Sequence, residues 1–394
     1  MSAESFVPGQ IVSPSQAMRL AIEEGRKGAG YVSPNPLVGC TIVDREHRLL
    51  AVGAHRRIGF DHAEIDALKK IDSEKHAAQI AGGHIYVTLE PCAHQGRTPS
   101  CARTLAPLKP ASVTYAVEDP FPLVAGKGAA ILREAGVDAR PLSERAEIED
   151  REELIALSEE LAEIFLYFHR SQEPFVALKL ASSLDGKMAF VSGESKWITG
   201  EKAREHVQLI RARYDAIAIG RNTFVADNPS LNVRHPAYPE FKNKVVVFDP
   251  DGQILTMLAN SNLLRVRDPH SVFVIVREGV ALTNPSGVRV ISAPADESGE
   301  FNVTAALARL RTEGLTSIMV EGGAHTVGAF VRERKAQRLH LYLAPSLLGG
   351  KHGLAWSTHF GNDQMSGKIQ LDRSHRELLG EDLYWTARLR YQGS

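Results

Sequence analysis

Thr88-Leu89-Glu90-Pro91-Cys92-Ala93-His94-Gln95-Gly96-Arg97-Thr98-Pro99-Ser100-Cys101, read with His62-Ala63-Glu64 upstream, is the stretch on which this chain turns. Residues 84–89 form an apolar run of strand length, and Thr98 with Pro99 opens a helix, so the two thiols bracket a strand-to-helix crossing. Asp61 is expected to cap another helix, running through Ile65 and Leu68, with His62 at its start. One imidazole and two thiolates are one ligand short of a closed structural zinc site and leave a position open for water. Cys101, at a helix start, is expected to gain thiolate stabilisation from exposed N–H groups and the local dipole. Glu64, outside the ligand set, is placed to take a proton from a metal-activated water and deliver it to a leaving amine. Singly, a His-x-Glu pair is usually a cap and a surface acid, and a buried Cys is usually core. In combination they favour catalytic zinc, with Cys40, inside the apolar run 38–43, left as a small core residue.

Outward from this site, Ser13, Pro14 and Gln16 make a helix start, and Ala17, Met18, Ala21 and Ile22 supply its apolar face. Residues 38–43 and 112–117 read as further strands, and a helix over 128–134 stops at Gly136. Residues 13–141 are thus expected to be one α/β domain with helices packed on a sheet. Across 142–172 glutamates crowd a segment poor in β-branched residues, expected as an acidic helical connector with a solvated face. The alternation then restarts, and residues 173–394 read as a second α/β domain. Strands are expected at 175–181, 215–220, 244–249, 271–276, 288–292, 317–320 and 338–344. Ala203, Val207 and Ile210 share one helix face, as do Val303, Ala306, Leu307 and Leu310 on another.

The second half has neither a P-loop nor a dinucleotide fingerprint. Its nearest approach, Gly126-Lys127-Gly128, meets Ile131 where a third Gly belongs. Val320-Glu321-Gly322-Gly323 ends a strand before a helix, where two glycines let backbone N–H groups approach a phosphate; it reads equally as a simple turn. Arg211, Arg213, Arg221 and Arg234 are candidate phosphate binders, although most arginines taken singly are surface charges. Asn35, between Pro34 and Pro36, reads equally as a turn residue or as an amide holding the edge of a heterocycle.

Composition agrees with two such domains. The 394 residues are 43% hydrophobic and 24% charged, which excludes disordered, collagenous and disulfide-scaffold classes. Forty-six basic against forty-seven acidic residues leave a formal charge of -1, so no global field draws the chain toward nucleic acid or an anionic membrane. Three clustered cysteines are a poor disulfide framework and suit a reducing compartment. Residues 1–16 do not read as a secretory leader, and the apolar runs are strand-sized, so a soluble cytoplasmic protein is expected.

The zinc motif resembles the signature of zinc nucleobase deaminases, with a longer loop in place of Pro-Cys-x-x-Cys. Taken together, the motifs resemble one family over nearly the whole chain: the bifunctional riboflavin-biosynthesis deaminase-reductases. In the first half the resemblance rests on Ser33-Pro34-Asn35-Pro36-Leu37-Val38-Gly39-Cys40 and the two zinc stretches. In the second it rests on Leu178-Lys179-Leu180-Ala181-Ser182-Ser183-Leu184-Asp185-Gly186, Gly193-Glu194-Ser195-Lys196-Trp197-Ile198-Thr199, Asp227-Asn228-Pro229-Ser230-Leu231-Asn232-Val233-Arg234 and Glu321-Gly322-Gly323. It implies a cytidine-deaminase-like domain followed by a dihydrofolate-reductase-like domain, using zinc and NADPH on a small phosphorylated pyrimidine. It further implies His62, Cys92 and Cys101 as zinc ligands and Glu64 as proton shuttle, with Asn35, His55, His94 and Arg97 placing the pyrimidine nucleotide. In the reductase, Ala181, Trp197, Thr223, Asp227 and Gly323 match cofactor positions, and Lys179, Ser195, Arg211, Leu231, Arg234 and Glu321 match substrate positions. A homo-oligomer formed through the reductase domain is expected, and no nucleic-acid or membrane partner. Ser100 replaces the family's usual second Pro, which predicts a looser loop with no ligand lost, and Gln337 stands where Asp is common. The rival readings are a nucleic-acid deaminase with an accessory domain and a non-catalytic zinc-stabilised binding protein.

Overall fold

The structure, a computed structural model, describes residues 7–71, 76–93, 100–121, 125–190, 198–296, 299, 302–349, 354–360 and 365–392. It divides into two compact units, Met1–Gln172 and Glu173–Ser394.

In the first unit the strands are β1 (Gly39–Val43), β2 (Leu49–Ala54), β3 (His84–Leu89), β4 (Ser112–Val117) and β5 (Asp138–Pro141), lying side by side in the order β2-β1-β3-β4-β5. β1 runs antiparallel to β2 and β3, whereas β3, β4 and β5 are parallel. The helices are α1 (Pro14–Gly25), α2 (Ala63–Leu68), α3 (His76–Ile80), α4 (Cys101–Leu105), α5 (Lys127–Glu134), α6 (Arg151–Leu161) and α7 (Glu163–Ser171). Side-chain alternation along the strands feeds two cores, because successive residues point to opposite faces. Ile42, Ile85, Val87 and Val113 join Ala67, Leu105 and Leu132 of α2, α4 and α5 on one face; Tyr86 and Ala116 join Met18, Ile22, Leu154 and Leu166 on the other. Ser13 caps α1 as its sequence predicts: Gln16 N donates to Ser13 Oγ (3.2 Å) and Ser13 N donates to Gln16 Oε1 (2.8 Å).

Two local expectations are overturned. His62, not Asp61, is the N-cap of α2, and the Asp61 carboxylate instead pairs with Lys69 Nζ at 2.6 Å. The acidic stretch 142–172 is not a solvated connector. α6 and α7 bury Leu154, Leu161 and Leu166, and Arg19 of α1 reaches Asp150 and Glu153 at 2.8 and 2.9 Å. Its leucines recur at helical spacing, and a face that wide is worth more buried than wet.

The second unit has the strands β6 (Phe175–Ser183), β7 (Lys187–Ala189), β8 (Ala216–Gly220), β9 (Lys244–Phe248), β10 (Val272–Arg277), β11 (Arg289–Ala293), β12 (Ser317–Val320), β13 (Arg338–Ala344), β14 (Leu354–Ala355), β15 (Gln370–Leu379) and β16 (Asp382–Arg390). Its main sheet runs β11-β10-β9-β8-β12-β6-β13-β16-β15, parallel as far as β13 and then closed by the antiparallel β16 and β15. The helices are α8 (Glu201–Arg211), α9 (Arg221–Asp227), α10 (Asn262–Arg265), α11 (Val303–Thr312) and α12 (Ala324–Arg332). β6, β8, β9, β10, β11, β12 and β13 fall where sequence periodicity puts strands; β8, β9, β10 and β12 are near-continuous apolar runs of a sheet covered on both faces, and β11 is a partly exposed edge. The chain steps outward from β8 to β11 and returns to insert β12 between β8 and β6. This reversal of strand order is where ligand crevices form, beyond the carboxyl ends of the strands.

Candidate functional site

The first unit brings its three soft ligands together. Cys92 follows β3, Cys101 is the first residue of α4 and His62 caps α2, so sheet and helices converge on one point. His62 Nδ1 lies 3.6 Å from Cys92 Sγ and 3.4 Å from Cys101 Sγ. A tetrahedral zinc with ordinary Zn–N and Zn–S lengths would hold such a pair about 3.6 Å apart. The donor set therefore fits zinc in both chemistry and spacing, and among the described residues it is the one such cluster of His, Cys, Asp or Glu.

The thiols divide their charge otherwise than local sequence suggests. Cys101 N donates to Cys92 Sγ at 3.3 Å, so the helix start serves its partner. Contact with Cys101 and with His62 pushes the Cys92 thiol well down, and the same contact with Cys92, with burial, pushes Cys101 up. Glu64, in the first turn of α2, is buried, and its carboxyl is raised chiefly by that burial and then by the charge on Cys92. An acid shifted toward neutrality is suited to accept and release a proton.

Asn35 and His55 stand beside the cluster. Asn35 Nδ2 lies 3.1 Å from His55 Nε2, and His55 Nδ1 lies 2.9 Å from the Asp61 carbonyl oxygen. A carbonyl only accepts, so Nδ1 carries the proton and Nε2 accepts from the amide, which leaves Asn35 Oδ1 for a ligand. The His55 ring packs edge-on to His62 at 5.4 Å, and burial lowers its pKa. His94 and Arg97 lie outside the described residues.

Two supports escaped sequence reasoning. Glu90, almost fully buried at the end of β3, accepts from Gly126 N, Gly128 N and Ala129 N at 3.0, 3.1 and 3.2 Å, tying the turn before Cys92 to the start of α5. Gly128 is required there, since a Cβ would overlap the Pro91 carbonyl oxygen. Ser100 donates to the Cys92 carbonyl (2.8 Å) and accepts from Arg103 N (3.3 Å), so it fastens Cys92 to α4 where a looser loop is expected. Its N-cap residue type was a readable signal; the partners of Glu90, 36 to 39 positions away, were not.

In the second unit Lys179, Arg211 and Glu321 form one buried group. Arg211 Nε and Nη2 donate to the Glu321 oxygens at 2.6 and 2.9 Å, and Lys179 Nζ is 3.8 Å from Oε2. Burial would raise the Glu321 carboxyl, but the Arg211 charge and hydrogen bonds, with Lys179, hold it below its usual range, whereas burial lowers Lys179. Arg211 thus holds Glu321 through two of its nitrogens, a pairing that sequence did not indicate. Its Nη1 donates to the Asn232 carbonyl (3.4 Å), which joins this group to the loop holding Leu231 and Arg234. Leu231 sits at φ 51°, a strained region for a branched side chain, with its carbonyl held by Asn243 Nδ2 at 2.9 Å. Arg234 Nη1 bonds Asn232 Oδ1 at 2.7 Å, and Arg221 pairs with Asp251 at 3.2 Å.

The expected cofactor positions lie at the strand-order reversal. Ala181 is on β6, Thr223 and Asp227 are on α9, and Gly323 caps α12. A Cβ on Gly323 would stand 3.8 Å from Thr223 Oγ1, and one on Gly220 or Gly322 would run into Thr326. Glycine at 220 and 322 thus lets Thr326 of α12 pack closely against the carboxyl ends of β8 and β12, at the reversal of strand order. Ser195 and Trp197 lie outside the described residues.

A buried carboxyl beside an open three-ligand zinc set, on a chain whose second unit reverses its strand order as nucleotide-binding sheets do, points to the class: a metal-dependent deaminase joined to a reductase. Residues 12–117 match the cytidine and deoxycytidylate deaminase zinc-binding region, and residues 174–384 match the RibD C-terminal domain. Riboflavin biosynthesis protein RibD of Bacillus amyloliquefaciens is 36% identical over 94% of this chain and 95% of its own length. Acinetobacter baumannii RibD superposes with a TM-score of 0.78 at 32% identity, covering 95% of this chain and 98% of that one. A Thermotoga maritima diaminohydroxyphosphoribosylaminopyrimidine deaminase/5-amino-6-(5-phosphoribosylamino)uracil reductase gives 0.77 at 29%, with the same coverage. The chain belongs to the RibD family of riboflavin biosynthesis. It is a zinc-dependent deaminase and NADPH-dependent reductase, with a cytidine-deaminase-like domain followed by a dihydrofolate-reductase-like one, as the sequence resemblance implies. Among the described residues no helix is long and apolar enough to cross a membrane.

Proposed function

We propose that the first unit hydrolytically deaminates 2,5-diamino-6-(5-phosphoribosylamino)pyrimidin-4(3H)-one. The second then reduces the ribosyl group of 5-amino-6-(5-phosphoribosylamino)uracil to ribityl. The observation that carries this reading is the buried Glu64 carboxyl beside the His62, Cys92 and Cys101 cluster. Zinc, when held by those three, supplies a water acidified to near neutrality. Glu64, buried beside the cluster, would receive a proton from that water and release it to the departing amine. Asn35 Oδ1, left over by the bond to His55, accepts from an N–H on the pyrimidine edge, and His94 and Arg97 complete the nucleotide's placement.

In the second unit Ala181, Trp197, Thr223, Asp227 and Gly323, the positions the family motifs imply, would hold NADPH, which when bound would supply a hydride for the ribosyl carbon. As the sugar ring opens, its oxygen needs a proton, and Lys179, lowered by burial, is the group suited to give it. Glu321, oriented by the Arg211 fork, accepts from ribose hydroxyls, and Ser195, Leu231 and Arg234 close around the substrate. The same reading makes the protein a cytoplasmic homo-oligomer through its reductase domain. In support, β15 is a sheet edge with nearly all its residues exposed, a surface that pairing would cover; the mass in solution tests it.

The deciding experiment incubates the zinc-loaded chain with the diaminopyrimidinone nucleotide and NADPH, following ammonia release and cofactor absorbance. Both signals are expected in sequence. Glu64→Gln should retain zinc and lose ammonia release by about 100-fold or more. Full deamination by that variant would overturn the proton role, and ammonia without NADPH oxidation, once deaminated product has accumulated, would overturn the reductase half.

A further inference from the structure

Arg267 lies in the turn between α10 and β10, and nothing in the motif resemblance gives it a role. Its guanidinium Nε and Nη1 are shut off from solvent and meet no hydrogen-bond acceptor among the described residues. Burial, and after it the charge of Arg211, push its pKa down to about 10. A guanidinium with two of its nitrogens dry and unpaired beside a like charge is unfavourable, and an arriving anion would relieve both costs.

The surroundings indicate which anion. Asn262 of α10 is clamped to Asn228: its N–H donates to Asn228 Oδ1 at 2.9 Å and its Nδ2 donates to the Asn228 carbonyl at 2.7 Å. The Arg267 turn is therefore anchored to the loop that carries Leu231, Asn232 and Arg234, and through Asn232 to Arg211. Neither neighbouring guanidinium is in Arg267's condition. Arg211 turns its Nε and Nη2 to Glu321, and Arg234 Nη1 is engaged with Asn232. Arg211 and Arg234 thus meet the loop through Asn232, and Arg267, near enough to feel the Arg211 charge, supplies the unspent charge beside them.

We propose that Arg267 binds the phosphate monoester of the reductase substrate, as a binding residue additional to those implied by the family motifs. This rests on the proposed reductase reaction, and the test separates the two. Wild-type chain, Arg267→Gln and Arg267→Lys are compared with the phosphorylated substrate, with its dephosphorylated counterpart, and for thermal stabilisation by inorganic phosphate alone. Loss of one charge-assisted contact should raise the KM for the phosphorylated substrate about 10-fold or more in Arg267→Gln. kcat, the KM for NADPH and turnover of the dephosphorylated substrate should stay within twofold, and Arg267→Lys should recover part of the loss. Phosphate should raise the Tm of the wild type and not that of Arg267→Gln. Without phosphate Arg267→Gln should melt no lower than wild type, because it removes an uncompensated charge. An equal loss on both substrates, a shift in the NADPH KM alone, or phosphate stabilisation that survives the substitution would each overturn the assignment. If the wild type reduces neither substrate, the proposed reaction fails, and the phosphate-stabilisation comparison still decides the anion site.

Discussion

Replacing Glu90 by Gln should loosen the turn that presents Cys92 without removing any ligand. Oε1 accepts from Gly128 N and Ala129 N, and Oε2 accepts from Gly126 N. The amide keeps one acceptor, best used for the pair, and turns its NH2 toward Gly126 N–H. One buried bond to a charged group becomes a donor facing a donor, at about 1.5–3 kcal/mol. Removing the negative charge from the start of α5 adds about 0.3–1 kcal/mol. Together these predict about 2–4 kcal/mol, or roughly 30- to 1000-fold in the local opening equilibrium, since 1.4 kcal/mol is about tenfold. The assay is amide hydrogen exchange on the zinc-loaded chain, reading Gly128, Ala129 and the α4 and α5 peptides, because exchange resolves local opening that a global melt averages over. The second unit should exchange at the wild-type rate. Protection of α5 unchanged within about threefold would refute the reasoning, as water would then be replacing the carboxylate at no cost.

Ser100→Ala removes both the α4 cap and the bond to the Cys92 carbonyl, so about 1–2 kcal/mol of local stability should go and zinc loss to a chelator should quicken about tenfold. Stripping zinc should abolish ammonia release and leave NADPH oxidation intact on substrate that is already deaminated, with activity restored on reloading. His340, fully buried between Tyr214 OH and Tyr384 OH at 2.7 Å each, has its pKa driven down, first by burial and then by Arg213 and Arg338. Its folded pKa lies below the unfolded value, so its contribution is complete above pH about 6.5 and is lost as pH falls below that toward the folded pKa. The second unit's Tm should drop with that acidification, and more shallowly in His340→Gln.

Much of the fold was legible because buried parallel strands declare themselves as short apolar runs, as in Val245, Val246 and Val247 or Phe273, Val274 and Ile275. β15 was not, since an edge strand exposed on both faces has no hydrophobic period to read, and Glu377 and Arg376 look like loop. The stretch 142–172 misled for the opposite reason: its glutamates mask leucines whose burial depends on α1, contributed from over a hundred residues away. At the site, His62, Cys92 and Cys101 were readable from spacing, as was Glu64 beside them. Which thiol ionises more readily was not, because it depends on contacts of Cys92 with the Cys101 side chain, with His62 and with the Cys101 N–H.

Sequence alone singled out the three donors, the acid Glu64 beside them and the two-part α/β architecture, because ligand identity and strand periodicity are properties of residue type and interval. Only the tertiary structure decided what holds them in place: Glu90 gathering three amides at the start of α5, Arg211 paired with Glu321, and two nitrogens of Arg267 buried with no hydrogen-bond partner among the described residues. Those relations join residues tens to more than a hundred positions apart, and burial, which makes an unpaired or shared charge expensive, exists only once the chain has folded around it.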